Sequence, residues 1–322
     1  MNDFEDDLVP ERPTFEQALQ LLREGREPDE EVLIYGLSDL SSEQVALLLP
    51  VWQQLDVELR RLILQILTDE IQSNYEVSYD ELALEALRDA DERIRRTSIE
   101  LLVTSEDRSH LRPLMHLAAH DEAVQVRIDA LRGLAAFCRE GGYELINQPQ
   151  LTQIQRLADQ RIASDVEMEE RGAALELLAA MDQASAQQIR DAYHSGDEIL
   201  RISAIVAMGH TADADEWREA VLHELEHGTV AAVREAIKAS GALELTEAVP
   251  LLARLLNDEE VDAREAIIWS LGEIGSKESV RILNALAQSA EESEDDDLLE
   301  KIEDALANAS LANGNDLFSV LS

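Results

Sequence analysis

The sequence predicts an all-α protein, an α-solenoid built from about eight stacked helix pairs. The first observation behind this prediction is a motif that returns about every 30 to 35 residues and is most complete at 257–275, NDEEVDAREAIIWSLGEIG. The second is that every copy contains an arginine in the same register. These arginines are Arg60, Arg95, Arg127, Arg171, Arg201, Arg234 and Arg264. A fixed period of this length is typical of repeat proteins, whose units bury their apolar surface only against their neighbours.

Each arginine begins a stripe of apolar or small residues with helical spacing. Three positions after it stand Ile63, Ser98, Ala130, Ala174, Ala204, Ile237 and Ile267. Seven positions after it stand Leu67, Leu102, Leu134, Leu178, Met208, Gly241 and Leu271. These offsets share one face of a 3.6-residue helix. Because a second amphipathic stretch precedes each arginine, as at 248–256, the predicted unit is a pair of helices that buries this stripe.

The elements follow from this register in chain order. Two short helices at 14–25 and 29–37 form an N-terminal cap, and the first 41 residues are assigned to an acidic arm with this cap. The repeat domain is predicted over 42–312, with helix pairs at 42–72, 78–104, 109–140, 148–182, 184–210, 213–241, 244–275 and 277–311. Gly141, Gly142 and Pro149 predict a longer loop before the fourth pair. The acidic run EESEDDD at 291–297 predicts a solvated interruption of the last pair, and 313–322 is a tail.

The register resembles HEAT repeats of the short, phycobilisome-lyase-like kind. The resemblance is best over 121–275 and is recognisable from residue 44. Six residues before the arginines stand Asp89, Asp121, Asp165, Ser195, Gly228 and Asp258. From the residues alone, an Asp or Ser here is expected to cap the following helix. The resemblance further implies that these aspartates pair with arginines along the stack.

Composition limits the functions that this chain can have. The formal net charge is −41, with 68 acidic and 27 basic residues, so phosphate groups are repelled and a nucleic-acid partner is not expected. The acidic N-terminus and the lack of a long apolar run predict no secretion signal and no membrane span, hence a cytoplasmic protein. The acidity itself indicates a highly soluble surface, salt adaptation or a basic protein partner. The single cysteine, Cys138, lies in an apolar run and is expected to be a buried thiol.

The segment HELEH at 223–227 matches the HExxH pattern of zinc proteases. His227 stands seven residues before an arginine, and His120 and His194 stand at the same offset in other repeats. We therefore interpret this histidine as a turn residue that contacts the last carbonyls of a helix. The sequence predicts no catalytic residue, no metal site and no cofactor. The alternatives are an enzyme or enzyme subunit of the bilin lyase-like HEAT class, or a metal-dependent hydrolase that uses HExxH.

The predicted function is a non-enzymatic scaffold, adaptor or assembly factor that binds another protein, acting as a monomer. In HEAT solenoids, the residues two, five and nine positions after the arginine usually line the concave face. The fifth position reads Gln65, Glu100, Arg132, Glu176, Val206, Ala239 and Trp269. The candidate binding residues are Trp269, Val206, Arg132, Ile202 and, in the tail, Phe318.

Two alternatives remain open for these candidates. Trp269 either anchors a partner or packs between repeats. Arg61, Arg96 and Arg132 form either a basic stripe or local ion pairs. The apolar cluster of the tail, which includes Leu317 and Phe318, either covers the last repeat or serves as a linear motif.

Overall fold

The computed structural model describes residues 12–25, 28–71, 74, 76–105, 107–139, 146–163, 165–211, 213–293 and 295–312. Within these ranges the chain forms eighteen α-helices and no β-strand. The helices of the N-terminal half are α1 (Phe15–Glu24), α2 (Glu30–Gly36), α3 (Ser42–Trp52), α4 (Val57–Ile71), α5 (Asp80–Ala86), α6 (Glu92–Val103), α7 (Leu111–His120) and α8 (Val124–Arg139).

Ten further helices follow in the described part of the C-terminal half. They are α9 (Gln148–Ala163), α10 (Met168–Ala180), α11 (Ala186–Tyr193), α12 (Glu198–Gly209), α13 (Ala214–His227), α14 (Val230–Ala242), α15 (Val249–Leu255), α16 (Arg264–Ile274), α17 (Lys277–Ser293) and α18 (Asp296–Ala312). The helix positions agree with the two helices predicted near the N-terminus and with the eight predicted pairs. The chain divides into two compact units, with the division after Ile154.

Within each unit, helices pack in series. In the first unit α4 packs on α6 and α6 on α8, while α5 and α7 pack beside their partners α6 and α8. In the second unit α10, α12, α14, α16 and α18 pack in that order, each on the next. We call these two series of arginine-bearing helices, with the last helix α18, the inner layer of their unit. The fold is therefore all-α, with neighbouring helix pairs stacked as the sequence predicts.

The predicted stripe forms the core of this stack. Ile63, Leu67, Ile267 and Leu271 have no exposed surface. Gly241 stands where most repeats have a larger side chain, because a Cβ there would lie 2.7 Å from the Cα of Ser270 on α16. The small residue thus permits α14 and α16 to approach closely.

The aspartates six residues before the arginines do not cap the helices themselves. Asp121 instead accepts the N–H of Ala123 at 2.9 Å, which closes the turn ahead of the helix. The helix caps come later in the turn, where Asp91 accepts from Ile94 and Asp197 accepts from Leu200. The expectation that these aspartates cap the helices was therefore wrong. One acceptor closes the turn, and a second acceptor two residues later, as in Asp91 and Asp197, caps the helix.

Three further sequence predictions concern single segments. Cys138 is buried and free, as expected. The acidic run does not interrupt the last pair along its whole length, since Glu291 and Glu292 belong to the last turns of α17 and are exposed. None of the helices in the described ranges combines the length and apolar character that a bilayer crossing demands.

Candidate functional site

The arginines of the first unit connect successive repeats. Arg95 on α6 donates from Nε and Nη2 to the carboxylate of Asp121, at 2.8 and 2.7 Å. Its Nη1 donates to the carbonyl oxygen of Asp89, at 2.9 Å. Arg60 on α4 pairs with the carboxylate of Asp89 through Nη1, while its Nε has no hydrogen-bond partner. These pairs, which we call the ladder, confirm the pairing that the HEAT resemblance implies. They join α4 to the turn before α6, and α6 to the turn before α8, through charge-assisted hydrogen bonds with little exposure to solvent.

The second row of arginines in this unit also has local partners. Arg61 pairs with Asp91, and this hydrogen bond lowers the pKa of the Asp91 carboxyl. Arg96 donates from Nε to Asp129 at 2.5 Å. Of the two interpretations of this stripe, local ion pairs therefore describe Arg61 and Arg96.

A groove of about 660 Å³ lies between α6 and α8 on the inner layer. Its lining includes the basic residues Arg93, Arg96 and Arg132 and the apolar residues Ile99 and Val103. Arg132, one of the predicted binding residues, is exposed there.

The inner layer of the second unit exposes the predicted tryptophan. Trp269 on α16 is 42% exposed. One turn before it, Glu265 pairs with Lys301 on α18, and one turn after it, Glu273 accepts from Asn308 at 3.5 Å. The indole therefore lies between two polar contacts that join α16 to α18.

The rest of the predicted row is less exposed than expected. Val206 and Ile202 on α12 are half-buried. Ala239 on α14 is only 3% exposed, because α12 and α14 approach so closely that a Cβ on Gly209 would lie 3.0 Å from the Cα of Ala239. Glu176 on α10 is also buried and accepts the hydroxyl of Ser203 at 2.5 Å. The row is thus not one continuous exposed surface.

The HExxH segment lies on α13 with its glutamate turned inward. Glu224 is 2% exposed and accepts the phenol of Tyr193 at 2.8 Å. Burial and this hydrogen bond raise the pKa of Tyr193, so the phenol keeps the proton that it donates. His223 and His227 are exposed, with ring centroids 5.1 Å apart.

Among the described residues, His227 makes no hydrogen bond to a helix carbonyl; its Nε2 lies 3.7 Å from a carboxylate oxygen of Glu226. Across the part of the chain that the structure describes, no group of three or more His, Cys, Asp or Glu side chains has metal-ligand geometry.

Some candidates lie elsewhere. Phe318, with the rest of the tail, falls outside the described residues. Sequence reasoning missed a set of exposed apolar side chains at the starts of the inner helices of the second unit, Met168, Ile199 and Val230. It also missed that Arg171 and Arg201 bury an Nε without a hydrogen-bond partner. Arg60 has an unpartnered Nε as well, but it keeps an ion pair with Asp89. Arg171 and Arg201 have no ion pair with a described carboxylate, and the replacement of the ladder aspartate by Ser195 and Gly228 was the available signal for that difference.

Comparison with known proteins finds one matching family model and several similar solved structures. Residues 218–307 match the family model of HEAT repeats, in agreement with the repeats that the sequence predicts in this part of the chain. The X-ray structure of YIBA_ECOLI is similar at 17% identity and a TM-score of 0.39, covering 83% of this chain and 98% of that one. Kap95p, solved in a study of RanGDP, is 12% identical with a TM-score of 0.47. Kap121p bound to Pho4p is 12% identical with a TM-score of 0.42.

This chain is covered to 95% in both of the last two comparisons, but it spans only 49% of Kap95p and 41% of Kap121p. No curated protein matches the sequence.

Proposed function

We propose that this HEAT-repeat protein is a non-enzymatic scaffold or adaptor that binds another protein through the inner layer of its second unit. The observation that carries the proposal is the 42% exposure of Trp269. An exposed indole on a rigid helix has little conformational entropy to lose on binding and much apolar area to bury. We further propose that the protein acts in the cytoplasm, as a monomer and without a cofactor.

The surroundings of Trp269 resemble a binding hot spot. The Glu265–Lys301 and Glu273–Asn308 contacts flank it one helical turn away on either side. Polar contacts around an aromatic anchor exclude water from it once a partner covers them. Val206 and Ile202, two helices away in the same layer, add apolar surface. Arg132 and Phe318 are further proposed contacts outside this patch.

The charge of the chain favours a basic partner. A net charge of −41 attracts cationic surfaces and speeds their association at low salt. The hydrolase alternative has less support, because a general base must reach a water molecule. The Glu224 carboxylate is instead buried against Tyr193.

Substitution of Trp269 tests the proposal. We expect Trp269→Ala to weaken binding to the partner captured from native lysate by more than about 2 kcal/mol, roughly 30-fold, because truncation of an anchor removes its buried area. The melting temperature should change little. Purified partner and titration calorimetry would measure the affinity, and thermal denaturation would measure the stability.

Two controls make the result decisive. Glu100→Ala removes an exposed residue at the same repeat position in the first unit and should leave binding nearly unchanged. Trp217→Ala removes a tryptophan that is 3% exposed and should cost the stability of a core cavity. If Trp269→Ala behaves like Trp217→Ala, or binds the partner as well as the wild type does, the proposal is wrong.

A further inference from the structure

The ladder aspartate has two separate functions. In Asp121, Oδ1 accepts the N–H of Ala123 at 2.9 Å and so closes its own turn. The carboxylate also accepts Nε and Nη2 of Arg95 from the preceding repeat. One carboxylate therefore closes the turn and neutralises a half-buried guanidinium.

Ser195 keeps the first function and lacks the second. Its hydroxyl accepts the N–H of Asp197 at 3.2 Å, which reproduces the turn that Asp121 makes. A hydroxyl carries no charge and has no second oxygen to offer to the arginine of the preceding repeat. That arginine, Arg171 on α10, buries its Nε without a hydrogen-bond partner. The contact of its Nη1 is with the sulfur of Met168, at 3.7 Å, a weak acceptor.

A cavity of about 390 Å³ is lined by both Arg171 and Ser195, the two positions that the ladder would join. Its apolar lining includes Ile162, Met168, Leu175 and Leu200. This volume is within the range of small-molecule sites.

Two carboxylates also line the cavity, and both have other hydrogen bonds. Asp197 accepts the N–H of Leu200 at 3.0 Å as a helix cap. Asp191 accepts the amide of Gln187 at 2.7 Å. Neither carboxylate comes within ion-pair distance of Arg171. Its Nε can therefore donate to an acceptor from outside the chain.

The next joint in the stack also lacks the ladder aspartate, and Arg201 there buries an Nε without a hydrogen-bond partner. There Gly228 replaces the aspartate, and a Cβ at this position would lie 2.7 Å from Oε2 of Glu224. The buried Glu224 carboxylate thus occupies the space of the absent side chain, while Tyr193 donates to its other oxygen. The cavity of about 530 Å³ that Arg201 lines therefore already contains a buried carboxylate of the protein. The cavity at Arg171 has no buried carboxylate in its lining, so the open position is there.

We propose that Arg171 binds the carboxylate of an apolar monocarboxylate whose hydrocarbon part fills the cavity between α10, α11 and α12. The ligand carboxylate takes the position of the ladder aspartate and accepts the Nε edge of the guanidinium, as Asp121 does for Arg95. Its apolar part contacts Leu175 and Leu200. The same chemistry is found in a free short-chain carboxylic acid and in a protein C-terminus that ends in an apolar residue.

Hexanoate is the first probe, with hexanamide as its neutral counterpart. We expect calorimetric titration of the full chain to give saturable binding of hexanoate and at least tenfold weaker binding of hexanamide. The decisive variant is Ser195→Asp, which restores the ladder carboxylate in a turn that already has the required geometry. We expect it to abolish hexanoate binding and to raise the melting temperature. Ser289→Asp adds the same charge at an exposed site on α17 and should change neither.

The two sources of the carboxylate are separated by competition. A short peptide ending in a leucine carboxylate, tested beside its C-terminal amide, displaces hexanoate if a protein terminus is the ligand and does not if a free acid is. Absence of saturable hexanoate binding would overturn the proposal. Equal binding of hexanoate and hexanamide would overturn it as well, and so would unchanged hexanoate binding to Ser195→Asp. Either result would mean that Arg171 does not recognise the carboxylate.

Discussion

At the residue scale, the burial of Cys138 on α8 determines how reactive its thiol is. The thiol is 2% exposed, and burial raises its pKa to about 11. Since the thiolate is the reactive form, we expect the native protein to resist alkylation by iodoacetamide at pH 8. The rate should keep rising about tenfold per pH unit up to about pH 10, because the folded thiol is still mostly protonated there.

Mass spectrometry after timed labelling would measure this rate. The same chain in denaturant is the control, and its rate should level off near the ordinary thiol pKa of about 8.5. Complete labelling of the native protein within minutes at pH 8 would contradict the burial of this side chain.

The ladder shows how far single residues can be predicted. The register identified Arg95 and Asp121 as partners through the HEAT resemblance, and the structure confirms the pair. The register also placed Asp258 in the ladder, but Arg234 donates instead to the carbonyl oxygen of Val261, at 2.6 Å. Sequence spacing fixes which turn the arginine reaches. It does not decide between a side-chain and a backbone acceptor in that turn, because the two lie within a few ångströms of each other.

At the scale of the element, the sequence predicted where helices begin and end. It did not predict which side chains of the inner layer are exposed to solvent. Caps such as Ser185 with Gln188, and the left-handed Gly275 after α16, are local signals that the sequence carries. The exposure of a row along the inner layer depends on the distance between neighbouring helices. That distance is set by contacts such as Gly209 against Ala239, which are 30 residues apart in the chain.

Leu271 tests the register of α16. Its side chain is completely buried, so we expect Leu271→Ala to lower the free energy of unfolding by about 2 to 5 kcal/mol through loss of contacts and formation of a cavity. The matched control is Leu311→Ala on α18, where the leucine is 67% exposed and the same change should cost well under about 1 kcal/mol. Urea denaturation of both variants would measure the difference. Equal effects at the two positions would show that the seventh position after the arginine is not in the core.

At the scale of the whole molecule, the net charge destabilises the folded state and the buried ion pairs stabilise it. The 68 acidic residues repel one another in the compact chain, and the 27 basic residues compensate only in part. The half-buried ladder pairs add attraction, and burial protects them from screening by salt. The exposed carboxylates, such as those of Glu291 and Glu292, have no such protection. Salt therefore weakens the repulsion more than it weakens the ladder.

The melting temperature should accordingly rise when sodium chloride is raised from about 10 mM to about 0.5 M, as the Debye length falls from about 30 Å to less than 10 Å. Potassium chloride should act equally, because screening depends on ionic strength and not on the cation. We expect the rise to level off near the upper end of this range, as it would for a surface whose acidity serves solubility. A melting temperature that continues to rise into molar salt would instead indicate salt adaptation. A fall on adding salt would mean that ion pairs outweigh the repulsion and that the ladder, despite its burial, is screened.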